Sequence, residues 1–74
     1  MPRTFSGKQV IRILEKEFDF TWISQTGSHV KMRRLSSGKV ITTIVPLHTE
    51  LAFGTFKGVL DLAQLKVRDF MDRA

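Results

Sequence analysis

The sequence predicts a small α+β fold in which helices cover one face of a three-stranded antiparallel sheet. Three observations support it: an amphipathic stretch behind a capping motif, three short β-rich runs separated by glycine-containing turns, and a second helical periodicity in the last third. With 74 residues, the chain is expected to form one domain over residues 1–74. The resulting order, α-β-β-β-α-α, is typical of a sheet covered on a single face.

The first helix is predicted to begin at Ser6, because Ser6 and Gln9 have the spacing of a capping box. Phe5 and Val10 stand at the flanking positions where apolar side chains pack across a helix start, and an apolar stripe follows. The helix is expected to fade near Glu17, where aromatic and β-branched residues begin.

Three strands are expected next. They are predicted over residues 19–25, over residues 28–34, and from Lys39 to Val45 with a stop at Pro46. Turns at Thr26-Gly27 and at residues 36–38 separate them, and loops this short favour an antiparallel meander.

The last third predicts two helices. One is expected to start near Gly54-Thr55, because apolar residues follow at helical spacing, and a short final helix is predicted over about residues 66–72. Trp22 and all six Phe are expected in the core, since a domain this small needs nearly all of its large apolar side chains inside.

The charge is the first indication of function. Residues 1–45 carry eight Lys or Arg against three acidic residues, whereas residues 46–74 carry four of each. A basic excess in one part of a small domain favours a nucleic acid or an acidic protein as partner, although a Lys-rich soluble surface also explains it. The absence of Cys excludes disulfides and thiolate metal sites, and no apolar run suggests a signal peptide or membrane span. The chain is therefore expected to be cytoplasmic.

His29 is the principal candidate for chemistry. It follows a turn glycine, Gly27, and alternation places it with Lys31 and Arg33 on the strand face opposite Val30 and Met32. Imidazole can act as acid or base near neutral pH, and cations on the same face can hold a phosphate, as cleavage of an RNA phosphodiester requires. On the residues alone, a polar side chain on a solvent-exposed sheet face remains the favoured interpretation of His29, and a catalytic role is the less favoured one.

Further RNA contacts are predicted at the cations of the second strand and the turn after it, namely Lys31, Arg33, Arg34 and Lys39. His48 follows Val45-Pro46-Leu47 in a loop and is a candidate second acid or base, an RNA contact or a loop-ordering group. Two isolated His without an acidic cluster predict no metal site, and no cofactor is expected.

Four sequence features in order carry a resemblance that covers nearly the whole chain. They are Ser6-Gly7-Lys8-Gln9-Val10-Ile11, Gly27-Ser28-His29, Val45-Pro46-Leu47-His48, and Glu50-Leu51 with Gly54-Thr55-Phe56-Lys57. In these the chain resembles the HicA family of mRNA interferase toxins. It departs from the family pattern at Gln64, where Gly is usual, and at Lys66, where Ser or Thr commonly caps the last helix.

The resemblance implies a fold similar to double-stranded RNA-binding domains and a metal-independent endoribonuclease that cleaves mRNA and arrests translation. It implies that His29 is the essential residue, with Gly27 and Ser28 in the same signature. It also implies a HicB-type antitoxin that covers the active face, so that the toxin is monomeric when free and hetero-oligomeric when neutralised. A non-catalytic RNA-binding module of the same fold, and a domain whose basic face only meets an acidic protein, remain alternatives.

Overall fold

The computed structural model describes residues 3–74 and has the predicted α+β architecture. Its elements are α1 (Gly7–Phe18), β1 (Thr21–Thr26), β2 (His29–Ser36), β3 (Lys39–Pro46), α2 (Phe53–Leu62) and α3 (Val67–Arg73). The strands form an antiparallel sheet in the order β1-β2-β3, so the predicted meander is confirmed. The order, with a short extra helix at the end, is the one expected of a fold similar to double-stranded RNA-binding domains.

Helix α1 begins at the predicted cap. The Gln9 N–H donates to Ser6 Oγ at 3.1 Å, and the Ser6 N–H donates to Gln9 Oε1 at 2.8 Å, so both bonds of the capping box are present. The helix ends at Phe18, and the capping residue Asp19 takes a left-handed conformation with φ 61°. Because this cap turns the chain, β1 starts at Thr21, two residues later than predicted.

The two faces of the sheet differ as the alternation in β2 predicts. Val30 and Met32 are fully buried under the helices, whereas His29 is exposed on the opposite face and Lys31 is partly exposed there. Thr43 is the one buried polar residue within residues 3–74, and its hydroxyl donates to the Val59 carbonyl of α2 at 2.7 Å. This bond helps to tie α2 to the inner face of β3.

The core contains five of the six phenylalanines. Phe70 of α3 is fully buried and meets the rings of Phe5 and Phe56 edge to face, with centroids 5.5 and 5.3 Å apart. The short final helix therefore closes the core, although its first turn lacks a side-chain cap at Lys66. Gln64 makes the turn into α3 with φ 58°, a conformation that glycine adopts more easily than glutamine.

Two aromatic residues were wrongly expected in the core. Trp22 is 42% exposed and Phe53 is 67% exposed. Trp22 shares the inner face with Met32, its partner in β2, but β1 is an edge strand and every residue in it is exposed. Phe53 is the first residue of α2, where it contacts the Phe56 ring at a centroid distance of 6.2 Å but stays at the surface.

Candidate active site

His29 is the first residue of β2 and lies directly after the β1–β2 turn. The turn residues are Gly27 and Ser28, one position later than predicted, and Gly27 has the expected positive φ of 58°. The Gln25 side-chain amide donates to the Gly27 carbonyl at 2.8 Å, and this hydrogen bond helps to stabilise the turn. His29 is itself paired with Thr26 on one side and with Pro46 on the other, so its backbone position is held from both neighbouring strands.

Three segments meet beside His29. The Leu47 N–H donates to the Ser28 carbonyl at 2.7 Å, which joins the β1–β2 turn to the segment after β3. The Gly7 N–H donates to the His48 carbonyl at 2.9 Å, which joins the start of α1 to the same segment. Gly7, residues 27–29 and residues 46–48 thus form a backbone junction, with His29 at its surface.

Gly7 is the residue that permits this junction to close. A Cβ atom built on Gly7 would lie 2.0 Å from the Pro46 carbonyl oxygen and 3.0 Å from Leu47 Cα. No side chain fits at such distances, so the start of α1 packs directly, backbone against backbone, on the end of β3. Sequence reasoning placed Gly7 in a family motif but did not detect this contact, because it joins residues about forty positions apart.

His48 lies at the same junction. His29 and Pro46 are paired, and His48 is two residues beyond Pro46, so the Cα atoms of the two histidines are at most about 13 Å apart. Both side chains are exposed. The fold therefore brings the two predicted His residues to one end of the sheet.

Two of the predicted cations share a face with His29. Lys31 and Arg33 follow at alternate positions of β2, roughly 7 and 13 Å along the strand, opposite Ile44 and Thr42 of β3. Within residues 3–74 the only salt bridge is Lys57–Asp61 on α2, so no acidic side chain forms an ion pair with these cations. Their charge is available to an anion at the outer face.

The other two predicted cations lie elsewhere. Arg34 is on the inner face, where its guanidinium carbon is 5.4 Å from the Phe20 ring centroid. Lys39 pairs with Ser36 at the far end of the β2–β3 hairpin. That end is about 23 Å from His29 along the strand, so the basic set treated as one cluster in the sequence is divided in space.

The sequence that forms this site matches one known protein family. Residues 7–66 match the model of a family described as the HicA toxin of bacterial toxin-antitoxin. The chain belongs to the HicA toxin family. No curated protein and no solved structure matches the chain significantly. The matched range of the HicA-family toxin contains the whole junction and both histidines.

The HicA-family toxin also has a groove that sequence reasoning did not anticipate. It lies between α1 and β1, has a volume of about 360 Å³, and is lined by Lys8, Ile11, Arg12, Glu15, Trp22, Gln25 and Leu47. One signal was present in the sequence: Lys8 and Arg12 are four residues apart and so share one side of α1. The groove itself depends on β1 being an edge strand of the sheet, and a local sequence pattern does not reveal which strand lies at the edge.

Two further properties of the HicA-family toxin concern what residues 3–74 lack. None of the helices there combines the length and apolar character needed to cross a membrane. The His, Asp and Glu side chains in this range form no group of three or more that could hold a metal ion.

Proposed function

We propose that this HicA-family toxin is an endoribonuclease that cleaves mRNA without a metal and thereby arrests translation, with His29 as its general acid or base. The observation that carries the proposal is the position of His29. It is an exposed imidazole on a backbone junction, on the same sheet face as Lys31 and Arg33, two cations that no acidic side chain pairs with in residues 3–74. Family membership supports the toxin activity.

The proposed reaction is an internal displacement at phosphorus. The ribose 2′-oxygen forms a bond to the adjacent phosphorus, and the bond from phosphorus to the leaving 5′-oxygen breaks. One group removes the proton from the 2′-hydroxyl, and another protonates the 5′-oxygen. His29 fills one of these roles, and the second belongs to His48, to a cation or to the RNA itself.

The turn and the cations would hold the reacting phosphate. Gly27 leaves open space beside the turn, since a Cβ placed there would meet nothing within 4 Å. A phosphate could therefore approach the backbone of Gly27 and Ser28, while Lys31 and Arg33 offset the charge that develops on its oxygens. Lys39, at the far end of the β2–β3 hairpin, would contact a phosphate farther along the RNA strand, whereas Arg34 packs against Phe20 on the inner face and is not part of this surface.

The proposed partner is a HicB-type antitoxin that covers the active face. The outer face offers an apolar surface to such a partner, because Leu35 and Val40 are 74% and 58% exposed at paired positions next to the cations. An exposed apolar patch bordered by unpaired positive charge suits a partner with acidic and apolar residues. We further infer a cytoplasmic toxin that is monomeric when free and hetero-oligomeric when neutralised.

The test is cleavage of a single-stranded RNA by wild type, His29→Ala and His29→Asn. Both variants remove the titrating group, and Asn keeps a polar side chain of similar reach. Cleavage should fall at least about 10²-fold in both, as is typical for loss of an acid or base. Thermal melting should change little, because His29 is exposed.

The same series assigns the second group. His48→Ala should cause a comparable loss if His48 supplies the other proton transfer, and a loss of only a few-fold if it contacts RNA. A His29→Ala variant that cleaves like wild type refutes the catalytic assignment. Duplex binding without product formation by wild type on long incubation would favour the non-catalytic module.

A further inference from the structure

The groove between α1 and β1 contains Trp22, the single tryptophan of the protein. Its side chain is 42% exposed, although it lies on the inner face of the sheet. The pairing of β1 with β2 shifts between Trp22 and Ser24, and Trp22 lines the groove together with residues of α1. An aromatic surface is thus available to a ligand.

The groove residues define the chemistry of that ligand. Ile11 and Leu47 provide apolar walls beside the indole of Trp22. From α1, Lys8 and Arg12 add two positive charges and Glu15 adds one negative charge, so the groove keeps a positive excess. A ligand that matches must be flat and apolar on its faces and must carry negative charge close by. A nucleobase attached to a phosphodiester chain has both properties, and stacking on an aromatic side chain is a common mode of single-strand binding.

The groove is directly connected to the turn that precedes His29. Gln25 lines the groove and donates to the Gly27 carbonyl, and Leu47 lines it and donates to the Ser28 carbonyl. His29 faces outward from the next position, so groove and histidine lie on opposite sides of the β1–β2 turn. A Cβ placed on Gly27 would meet nothing within 4 Å, so no neighbouring group obstructs the turn at this position.

The geometry points to a nucleobase subsite in this groove, in which an unpaired base stacks on Trp22 while a phosphate of the same RNA strand reacts at His29. This inference rests on the proposed endoribonuclease function and names the substrate as single-stranded at the cleavage site. A base inside a duplex is stacked and paired on its own helix, so it cannot enter the groove without leaving the stack. Lys8 and Arg12 bind the phosphates that flank the stacked base.

Trp22 itself provides the readout, because no other tryptophan contributes to the fluorescence. The probe is a mixed-sequence hexanucleotide of 2′-O-methyl RNA, which lacks the attacking hydroxyl and stays intact with the wild-type protein. Two comparison probes are a hexamer with the same phosphates but abasic sugars, and the 2′-O-methyl hexamer annealed to its complement. The base-containing single strand should quench Trp22 fluorescence and bind at least about fivefold more tightly than either comparison probe.

Substitutions separate stacking from general binding. Measured by fluorescence anisotropy of a labelled hexamer, Trp22→Ala should weaken binding by about 5- to 100-fold, and Trp22→Phe should restore most of the loss. Phe53→Ala is the matched control, since Phe53 is also an exposed aromatic residue but lies at the start of α2, outside this groove. It should bind the hexamer like wild type.

The subsite is refuted if the hexamer binds without a change in Trp22 fluorescence, if the abasic hexamer binds as tightly, or if Trp22→Ala leaves RNA affinity intact. It is also refuted if Trp22→Ala abolishes binding of the antitoxin but leaves RNA affinity unchanged, because the groove would then be a protein docking site. In each of these cases the proposed function is retained as long as RNA cleavage still depends on His29. Conversely, base-dependent quenching together with full cleavage by His29→Ala would retain the subsite and reject the catalytic assignment.

Discussion

Replacing Gly7 with alanine tests the backbone junction on which the candidate site is built. The substitution adds one methyl group at the first residue of α1, a position where alanine is normally tolerated well in a helix. Here the added carbon would lie 2.0 Å from the Pro46 carbonyl oxygen and 3.0 Å from Leu47 Cα. Both obstacles are backbone atoms, which cannot rotate away as a side chain does.

The expected loss of stability follows from these contacts. Forcing a methyl group into a filled site costs about 1–3 kcal/mol. The shift that relieves the clash also weakens the bond from the Gly7 N–H to the His48 carbonyl, and a hydrogen bond of this kind contributes about 1 kcal/mol. Against this, the helical preference of alanine over glycine contributes at most about 1 kcal/mol. The free energy of unfolding should therefore fall by about 2 kcal/mol.

Urea unfolding of Gly7→Ala beside Gly58→Ala measures this loss with a matched control. Gly58 lies inside α2, and a Cβ there would meet nothing within 4 Å, so alanine should raise the free energy of unfolding by roughly 0.5–1 kcal/mol. With a slope of about 1 kcal/mol per molar urea, the midpoints should move in opposite directions, by about 2 M downward and about 0.5–1 M upward. Equal or greater stability of Gly7→Ala would refute the close approach of α1 to the end of β3.

Three further substitutions test separate parts of the fold and site. Thr43→Val removes the buried hydroxyl that donates to the Val59 carbonyl and should lower the free energy of unfolding by about 1 kcal/mol; an unchanged urea midpoint would show that this bond contributes nothing. Gln64→Gly relieves a left-handed conformation and should stabilise by roughly 0.5–1 kcal/mol, seen as a higher melting temperature; a lower one would contradict the reasoning. Lys31→Gln should make the slope of RNA affinity against log salt shallower by about 0.7, whereas Lys57→Gln, which removes a paired cation, should not; equal slopes for both would exclude a phosphate contact at Lys31.

The features that sequence predicted well are those set by neighbouring residues. The cap of α1 depends on Ser6 and Gln9, three positions apart, and both of its bonds are present. The alternation in β2 placed His29 and Lys31 on the same face because strand geometry has a period of two. The same alternation assigns Arg34 to the inner face with Met32. The sequence therefore indicates that Arg34 and His29 lie on opposite faces, although the basic residues were treated as one set.

The features that were missed depend on which elements become neighbours in space. Trp22 has a core-like pattern, but its burial depends on whether a helix covers β1, and none does so closely enough to enclose it. The contact between Gly7 and Pro46 joins the beginning of α1 to the end of β3, and nothing local distinguishes Gly7 from a glycine that tolerates a side chain. The position of His48 at the same end of the sheet as His29 has the same origin, since it follows from the pairing of His29 with Pro46.

The junction also bears on how a partner would silence the proposed enzyme. His29 is held by strand pairing and by the backbone bond between Ser28 and Leu47, not by side chains that a ligand must first arrange. The backbone position of His29 is therefore set before RNA binds, and excluding the RNA is the direct way for a partner to inhibit the proposed cleavage. Because the Trp22 groove and His29 lie on opposite sides of one turn, a partner that covers residues 27–29 would block the proposed strand path at its centre. We therefore expect a neutralising antitoxin to cover this turn.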